Sequence, residues 1–407
     1  MTSHHHTASG GLSLSLILLL ALFTAMDAMA IDMYLPSMPA IALGFDVSAG
    51  RVQQTLSIFL IGLAVGQAVY GPLLDRYGRR LPMLVGVVVF VAGSVVAALA
   101  PSIEWLLAAR FLQALGAAAG LVTPRAIVSD RCTLAESAPI FSLLMQIMMI
   151  APILAPILGG FLLEQGSWRL IFWALSAIGV LGLIWGIVTI PETLNPKHRS
   201  SLALGSILRS YGRQLRLPIF MAYTLAGSFV LSSLFLYISH SAFIFTQHFS
   251  LTPTLFSYLF AGNAVSLVIG GQISTSLLKR GVAETRVTYI GLTLHLLSGL
   301  LLYLIVQSGL ASLWSYATLI AIAVGSLGLI FGNLTALTMH HSGKQAGVAS
   351  ALMGTLQYLI SALAGYLLSF FGQSPAVLPV AIAACAALAL LCCKLAERPQ
   401  PPLVAQT

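Results

Sequence analysis

Long apolar stretches separated by short polar gaps run along the whole chain. An apolar helix of about 20 residues crosses about 30 Å of lipid hydrocarbon, and twelve stretches reach that length. Their approximate spans are 14–42, 52–74, 81–100, 104–128, 139–163, 169–190, 218–247, 253–278, 287–307, 313–339, 346–371 and 376–394. The stretches are continuously apolar and do not alternate with a period of two, which favours helices over a lipid-facing barrel. The pattern predicts an all-α integral membrane protein with twelve transmembrane helices.

Composition agrees with lipid as the solvent. Charged residues make up 7% of the 407 residues, where soluble proteins have roughly 25%, and hydrophobic residues make up 58%. A chain of this kind cannot hide its apolar surface in a water-soluble core. The few charges inside the apolar stretches are costly in lipid, so they are the first candidates for functional residues.

Lys and Arg are divided unevenly between alternate gaps. One set of gaps contains Arg76, Arg79, Arg80, Arg131, Lys197, Arg199, Arg209, Arg213, Arg216, Lys279, Arg280, Arg286, Lys344, Lys394 and Arg398. The other set contains only Arg51 and Arg169. The positive-inside rule places the richer gaps and both termini in the cytoplasm, which predicts a multi-pass membrane protein with both ends on the inner side. The net charge of +8 then reports topology, and no nucleic-acid partner is expected.

The longest internal polar stretch divides six spans from six spans. It predicts a bundle at 1–190, a cytoplasmic linker at 191–217, and a second bundle with a short tail at 218–407. Two bundles joined in this way are the plan of a secondary transporter, whose substrate site lies near the midplane between the bundles.

The sequence gives no sign of a cofactor, a metal site or an enzyme. Gly343-Lys344 lacks the upstream Gly and the following Ser or Thr of a phosphate-binding loop. The run His4 to His6 is weak evidence for metal, and no paired catalytic groups appear. We therefore expect transport driven by an ion gradient, with a monomer in membrane lipid as the working unit.

The gap after the second stretch reads Gly71-Pro72-Leu73-Leu74-Asp75-Arg76-Tyr77-Gly78-Arg79-Arg80. Gly71 lets two helices approach closely, and Asp75 is placed to face the positive N-terminal end of another helix. A topology anchor would explain the arginines, but neither Asp75 nor the glycines. The segment resembles the signature loop between helices two and three of the major facilitator superfamily, where the loop is part of the latch between bundles. The resemblance implies gating roles for Gly71, Asp75, Arg76, Gly78, Arg79 and Arg80.

Two acids lie inside the first stretch. The segment Ala30 to Pro36 resembles helix one of the Bcr/CflA group of drug exporters, in which Ile-Asp-Met-Tyr-Leu-Pro recurs. Asp32 is the better candidate for a central cavity, next to Tyr34. Asp27 lies five residues earlier, about 140° around the helix, and the sequence leaves open which acid carries a proton. Thr24 replaces an acid of amphenicol-exporting relatives, which argues against that specificity.

Arg110 lies deep in the fourth stretch. It is about 12 Å from the outer gap, and Asp32 is about 15 Å from the outer end of its own stretch, so the two can lie at similar depth. The residues from Arg110 to Ala114 resemble the helix-four motif Arg-Phe-x-Gln-Gly of the same superfamily, with Gln113 matching and Ala114 departing. Snorkelling to the interface is the alternative for Arg110. A buried acid beside an arginine can load and release a proton as access to water changes, so we expect Asp32, Arg110 and Asp27 to serve proton coupling.

The fifth stretch is similar to the helix-five antiporter motif Gly-x-x-x-Gly-Pro-x-x-Gly-Gly. Pro156, Gly159 and Gly160 match, whereas Ala151 and Ala155 replace the first two glycines. Prolines bend a helix and small residues permit close packing, so a gating role is implied. Candidate cavity residues on the same helix are Met145, Gln146 and Met149. For the methionines, ordinary helix packing is an equally good explanation.

The second half has no acid inside any apolar stretch, so proton coupling is expected in the first half. The candidates for a second cavity wall are neutral or aromatic: Tyr237, Phe243, Asn263, Asn333 and Gln357. Each could instead serve helix–helix packing. We expect proton-coupled export of small apolar or amphipathic drugs. The alternatives are a purine, amino-acid or sugar transporter on the same fold, and a membrane sensor without transport.

Overall fold

The computed structural model describes residues 12–194, 204–342, 346–372 and 374–397. The helices are α1 (Leu14–Asp32), α2 (Met38–Phe45), α3 (Ala49–Tyr77), α4 (Arg80–Ala98), α5 (Ile103–Arg131), α6 (Leu134–Glu164), α7 (Arg169–Thr189), α8 (Leu204–Leu215), α9 (Pro218–Phe243), α10 (Pro253–Lys279), α11 (Glu284–Gln307), α12 (Leu313–His340), α13 (Ala346–Leu368) and α14 (Val377–Ala396). Twelve segments are long and apolar enough to span a membrane, with α1 and α2 together forming the first. The predicted all-α membrane fold is confirmed.

Prolines break the first span, which the sequence prediction had treated as one stretch. α1 ends at Asp32, a turn of 3₁₀ helix follows at Leu35–Ser37, and α2 then begins. Pro36 lies in this break, and Pro39 is the second residue of α2. Proline has no backbone N–H and disfavours the helical conformation in the residue before it, so a continuous helix is interrupted here. The break leaves Asp32 as the last residue of α1.

The predicted linker contains a helix that the sequence analysis missed. α8 has apolar and basic faces, and it is too polar to be one of the spanning segments. Gln214 donates from Nε2 to the carbonyl oxygen of Ser342, 3.0 Å away. Tyr211 packs against a buried cluster that includes Phe220 and Leu352. The helix therefore lies against the second bundle.

Small residues at the helix crossings let each bundle pack closely. In the first bundle α5 packs against α3 and α4; in the second, α12 packs against α10 and α11. A Cβ atom added at Gly62 would lie 2.6 Å from the Cβ atom of Ala114, and one added at Gly299 would lie 2.9 Å from the backbone nitrogen of Ala383. Association of helices in lipid depends on such close van der Waals contact.

The two bundles meet along two helix pairs, α3 with α13 and α6 with α10. The spans alternate in direction, which gives the molecule two faces. We call the face that carries the 77–80 turn, α8 and the 280–283 turn the basic face. The face that carries the 46–48, 165–168 and 369–372 turns is the opposite face.

Candidate functional site

Asp32 and Asp27 are both buried, with 4% and 5% of their surface exposed. They lie within electrostatic range of each other. Neither forms an ion pair within residues 12–194, 204–342, 346–372 and 374–397, and Oδ1 of Asp27 has no hydrogen-bond partner there. Two buried carboxyl groups without an ion-pair partner are expensive when charged, so this part of α1 is the centre of the candidate site.

Arg110 is enclosed by the first bundle. Its Nη1 donates to the carbonyl oxygen of Ala30 at 2.9 Å. Its guanidinium carbon lies 4.2 Å from the ring centre of Phe59 and 4.7 Å from that of Tyr34, with Phe172 at 5.9 Å. Cation–π contacts of this kind stabilise a desolvated arginine. Arg110 therefore lies near the depth of Asp32 without bonding to it.

Two predicted cavity residues belong to this enclosure. Gln113 accepts from Nη1 of Arg110 at 2.7 Å and donates to Oγ of Ser94 at 2.9 Å. Tyr34 is fully buried, and its hydroxyl lies 2.7 Å from that of Thr55. Both side chains are thus hydrogen-bonded inside the first bundle.

The second bundle reaches towards Asp32 through Tyr237. The Tyr237 hydroxyl is within electrostatic range of Asp32 and accepts a hydrogen bond from Nδ2 of Asn263 at 2.8 Å. Its ring stacks on that of Phe260, with centroids 5.3 Å apart. The structure thus brings an acid of α1, a phenol of α9 and an amide of α10 together across the bundle interface.

Asp27 has different neighbours. Arg125 of α5 and Tyr358 of α13 lie within its electrostatic range. Arg125 is exposed, and Tyr358 is half-buried. An exposed cation next to Asp27 partly compensates its charge, which distinguishes this acid from Asp32.

Helix α6 lies between the bundles. A Cβ atom on Gly159 would collide with the carbonyl oxygen of Met33, directly after α1, whereas one on Gly160 would lie 2.6 Å from Oγ of Ser257 in α10. Adjacent glycines therefore face opposite bundles. Pro156 lies inside the same helix, and the side chains of Met145, Gln146 and Met149 are exposed.

The other predicted cavity residues of the second half contact their own bundle. Asn333 donates from Nδ2 to Oγ of Ser274 at 2.8 Å. A Cβ atom on Gly227 of α9 would lie 2.6 Å from Nε2 of Gln357. Phe243 is buried at the end of α9. Their roles in binding stay predictions.

The turn between α3 and α4 is a network of charges on the basic face. Asp75 accepts from Nη1 of Arg79 at 3.0 Å, and it bonds this arginine in its own turn, where the sequence interpretation expected another helix. Asp130 accepts from Nε of Arg79 at 2.9 Å, and Glu192 accepts from the backbone N–H groups of Arg79 and Arg80. Burial lowers the pKa of Arg79, but its bonds to Asp130 and Asp75 outweigh burial and raise it.

The sequence analysis did not single out Asp130 or Glu192. The available signal was that each is an acid in an otherwise basic gap. Gly78 has a φ of +91°, and the Glu192 carboxylate occupies the space where its Cβ would be. Only glycine adopts this backbone conformation easily, so Gly78 serves the network through its shape. A Cβ atom added at Gly71 would meet nothing within 4 Å, so the close helix approach predicted at this glycine is wrong. Arg76 lies over the ring of Tyr77, and Arg80 donates to the carbonyl oxygen of Ile187.

Hydrogen bonds join the two bundles at the opposite face. Gln54 donates to Oγ of Ser369 at 3.1 Å, and Gln53 donates to the carbonyl oxygen of Ser239 at 3.2 Å. Thr254 of α10 bonds Glu164 of α6. On the basic face, the part of the chain that the structure describes contains no hydrogen bond or ion pair between the bundles.

The sequence matches a known family over most of its length. The description of that family is Major Facilitator Superfamily, and the match covers residues 20–365. The motifs noted in α3, α5 and α6 lie within these residues.

Curated relatives are similar over nearly the whole chain. An uncharacterized MFS-type transporter, YdgK of Bacillus subtilis, is 35% identical, with 88% of this chain and 89% of the relative covered. A bicyclomycin resistance protein homolog of Haemophilus influenzae is 30% identical, with 87% and 88% covered. The multidrug transporter MdfA of Yersinia pestis is 30% identical, with 88% and 87% covered.

A solved structure shares the fold. The inward-facing, unoccupied form of a bacterial homolog to the human lysosomal transporter Spinster superposes with a TM-score of 0.71 at 17% identity. The superposition covers 93% of this chain and 95% of that one. At this identity the likeness concerns the architecture.

Proposed function

Because the chain belongs to the Major Facilitator Superfamily, we propose that it exports small apolar or amphipathic drugs in exchange for protons. The membrane is the bacterial inner membrane, with the basic face in the cytoplasm, as the distribution of Lys and Arg favours. The protein works as a monomer without a cofactor. The names of two relatives, a bicyclomycin resistance protein homolog and a multidrug transporter, support drugs as the substrate class.

The observation that carries the proposal is the position of Asp32. It is buried at the end of α1, forms no ion pair with a described residue, and lies within electrostatic range of Tyr237 of the other bundle. A carboxyl group in such a place is stable when it is protonated and neutral, or when water or a ligand reaches its charged form. The protonation state of Asp32 therefore depends on which side of the membrane water reaches it from. Exchange follows if protonation from the outer side accompanies drug release and deprotonation to the cytoplasm accompanies drug binding.

Asp27 and Arg110 have supporting roles in this scheme. Asp27 has Arg125 nearby, so its charge is partly compensated in place. Arg110 bonds Ala30 and Gln113 and does not bond Asp32, so it positions the end of α1 and is not a switching ion-pair partner. We therefore assign the exchanged proton to Asp32.

The proposal predicts the behaviour of Asp32→Asn. In proteoliposomes with a trapped pH dye, addition of ethidium or bicyclomycin should move protons through the unsubstituted chain and not through the variant, because an amide cannot carry a proton. Asp46→Asn is the matched control. Asp46 is exposed, and its left-handed φ of 52° is one that asparagine tolerates.

An undiminished proton signal in Asp32→Asn would remove this residue from the mechanism. A growth-inhibition panel in a pump-deleted bacterial host tests the substrate class. If expression of the protein protects against none of the drugs while counterflow of purines, amino acids or sugars is seen in liposomes, the metabolite-transport alternative replaces drug export.

A further inference from the structure

A groove lies between α10 and α12 on the outer surface of the second bundle. Its volume is about 540 Å³, and its lining includes Leu255, Tyr258, Gly262, Asn263, Trp314 and Ala317. Tyr258 and Trp314 are 56% and 76% exposed, so this surface faces the surrounding lipid. The groove starts near the opposite face, where α10 and α12 begin, and has no part in the proton step proposed above.

The inner wall of the groove carries a buried polar group. Asn263 is ten residues, about 15 Å, along α10 from Pro253 and is 4% exposed. Its Nδ2 donates to the Tyr237 hydroxyl, and its Oδ1 accepts no hydrogen bond from any residue that the structure describes. Asn263 lines the groove, and lipid hydrocarbon offers its Oδ1 no donor, so a ligand that donates to Oδ1 would be stabilised here.

Tyr237 links this group to the neighbourhood of Asp32. Its hydroxyl is hydrogen-bonded to Asn263 and also lies within electrostatic range of Asp32.

We propose that the groove is a binding site for apolar molecules that carry one hydrogen-bond donor, held from the lipid side. The apolar walls take the body of the molecule, and Oδ1 of Asn263 accepts from its N–H or O–H group. An acyl chain of a phospholipid has no donor at this depth and would leave Oδ1 unpaired. The inference deepens the proposed function, because it names a feature of the exported compounds, but the binding needs no transport.

The chain offers a substitution that fills the groove without disturbing the fold. A Cβ atom on Gly262 meets nothing within 4 Å, so Gly262→Leu places its side chain in the open groove. Gly271 lies on the same helix, beyond the lining, and also meets nothing within 4 Å. Gly271→Leu is therefore the matched control, with the same change in helix propensity.

The test uses N-phenyl-1-naphthylamine, a fluorescent apolar amine with one N–H donor, and the full chain in phosphatidylcholine nanodiscs without a pH gradient. Energy transfer from Trp314, isolated by comparison with Trp314→Phe, reports binding in the groove. We expect saturable binding that Gly262→Leu weakens at least about tenfold and Gly271→Leu leaves unchanged. The N-methylated amine, which has no donor, should bind about threefold to tenfold more weakly.

Three results would overturn the inference: equal binding of the two amines, undiminished binding by Gly262→Leu, or complete displacement of the amine by a spin-labelled phosphatidylcholine. The third would identify the groove as a lipid site. Asp32→Asn in the same assay separates the two proposals, because it should bind the amine normally even though it no longer exchanges protons. If the unsubstituted chain does not bind the amine, the groove proposal fails and the proposed role of Asp32 is unaffected.

Discussion

A single exposed carboxylate organises the basic face. Glu192 follows α7 and accepts hydrogen bonds from the backbone N–H groups of Arg79, Arg80 and Leu194, at 3.0, 3.4 and 2.9 Å. Burial raises the pKa of Glu192, but these amides together hold it below the usual glutamate value. The carboxylate thus ties the end of α7 to the turn that starts α4.

The lowered pKa fixes the sign of a pH effect. A group that ionises more readily in the folded protein stabilises it above the unfolded pKa, and this contribution is lost as the pH falls through the folded pKa. We expect Glu192→Gln to lower the melting temperature at pH 7 by about 1–3 °C, with the difference vanishing below about pH 4. Thermal unfolding in detergent across this range measures it.

Glu284→Gln is the control for that experiment. Glu284 is exposed in the first turn of α11 on the same face. An equal loss of stability in this variant, or a loss in Glu192→Gln that persists at acid pH, would contradict the role given to Glu192.

At the scale of elements, α6 packs against helices of both bundles. Gly159 is packed against the backbone just after Asp32, and Gly160 against α10. The backbone of Met33 cannot rotate away as a side chain can, so any added atom at Gly159 pushes α1 and α6 apart.

Gly159→Ala should therefore destabilise the protein by about 1–3 kcal/mol. Gly332→Ala is the matched control, because a Cβ atom there meets nothing within 4 Å. Thermal unfolding of both variants compares them. If Gly159→Ala and Gly332→Ala have the same melting temperature, the close approach of α6 to α1 is not a stabilising contact.

The sequence predicted the membrane-spanning helices better than it predicted the contacts between their side chains. The twelve spans were predictable because the length of an apolar stretch is fixed by the bilayer. The break after Asp32 was missed, although Pro36 and Pro39 mark it, because hydropathy does not change there. Helix α8 was missed because its polar residues resembled an unstructured linker. The aromatic enclosure of Arg110 depends on Phe59 and Phe172, which lie far apart in sequence and are ordinary apolar residues in their own stretches.

On the scale of the whole molecule, the hydrogen bonds between the bundles lie at one end. All three described hydrogen bonds between them lie near the opposite face, among them the bond of Gln54 to Ser369. The backbone of Ser369 also fills the space next to Gly50, leaving no room for a Cβ atom. This arrangement holds the two bundles together at the opposite face.

Gly50→Ala should force this end open. The readout is Ser239→Cys, placed where Gln53 bonds the backbone, in a chain whose four native cysteines are replaced. A membrane-impermeant maleimide added to spheroplasts should label this cysteine several-fold faster when Gly50→Ala is present. Gly44→Ala is the control, since its Cβ would make only an ordinary 3.6 Å contact with Trp168. Equal labelling rates in the two variants would show that Gly50 does not hold the face shut.

Every observed contact of the Arg110 guanidinium comes from the first bundle: Ala30, Tyr34, Phe59, Gln113 and Phe172. The positive charge therefore moves together with the first bundle in any relative motion of the two bundles. The rings and hydrogen-bond acceptors that surround this charge would therefore keep their places around it when the second bundle is displaced.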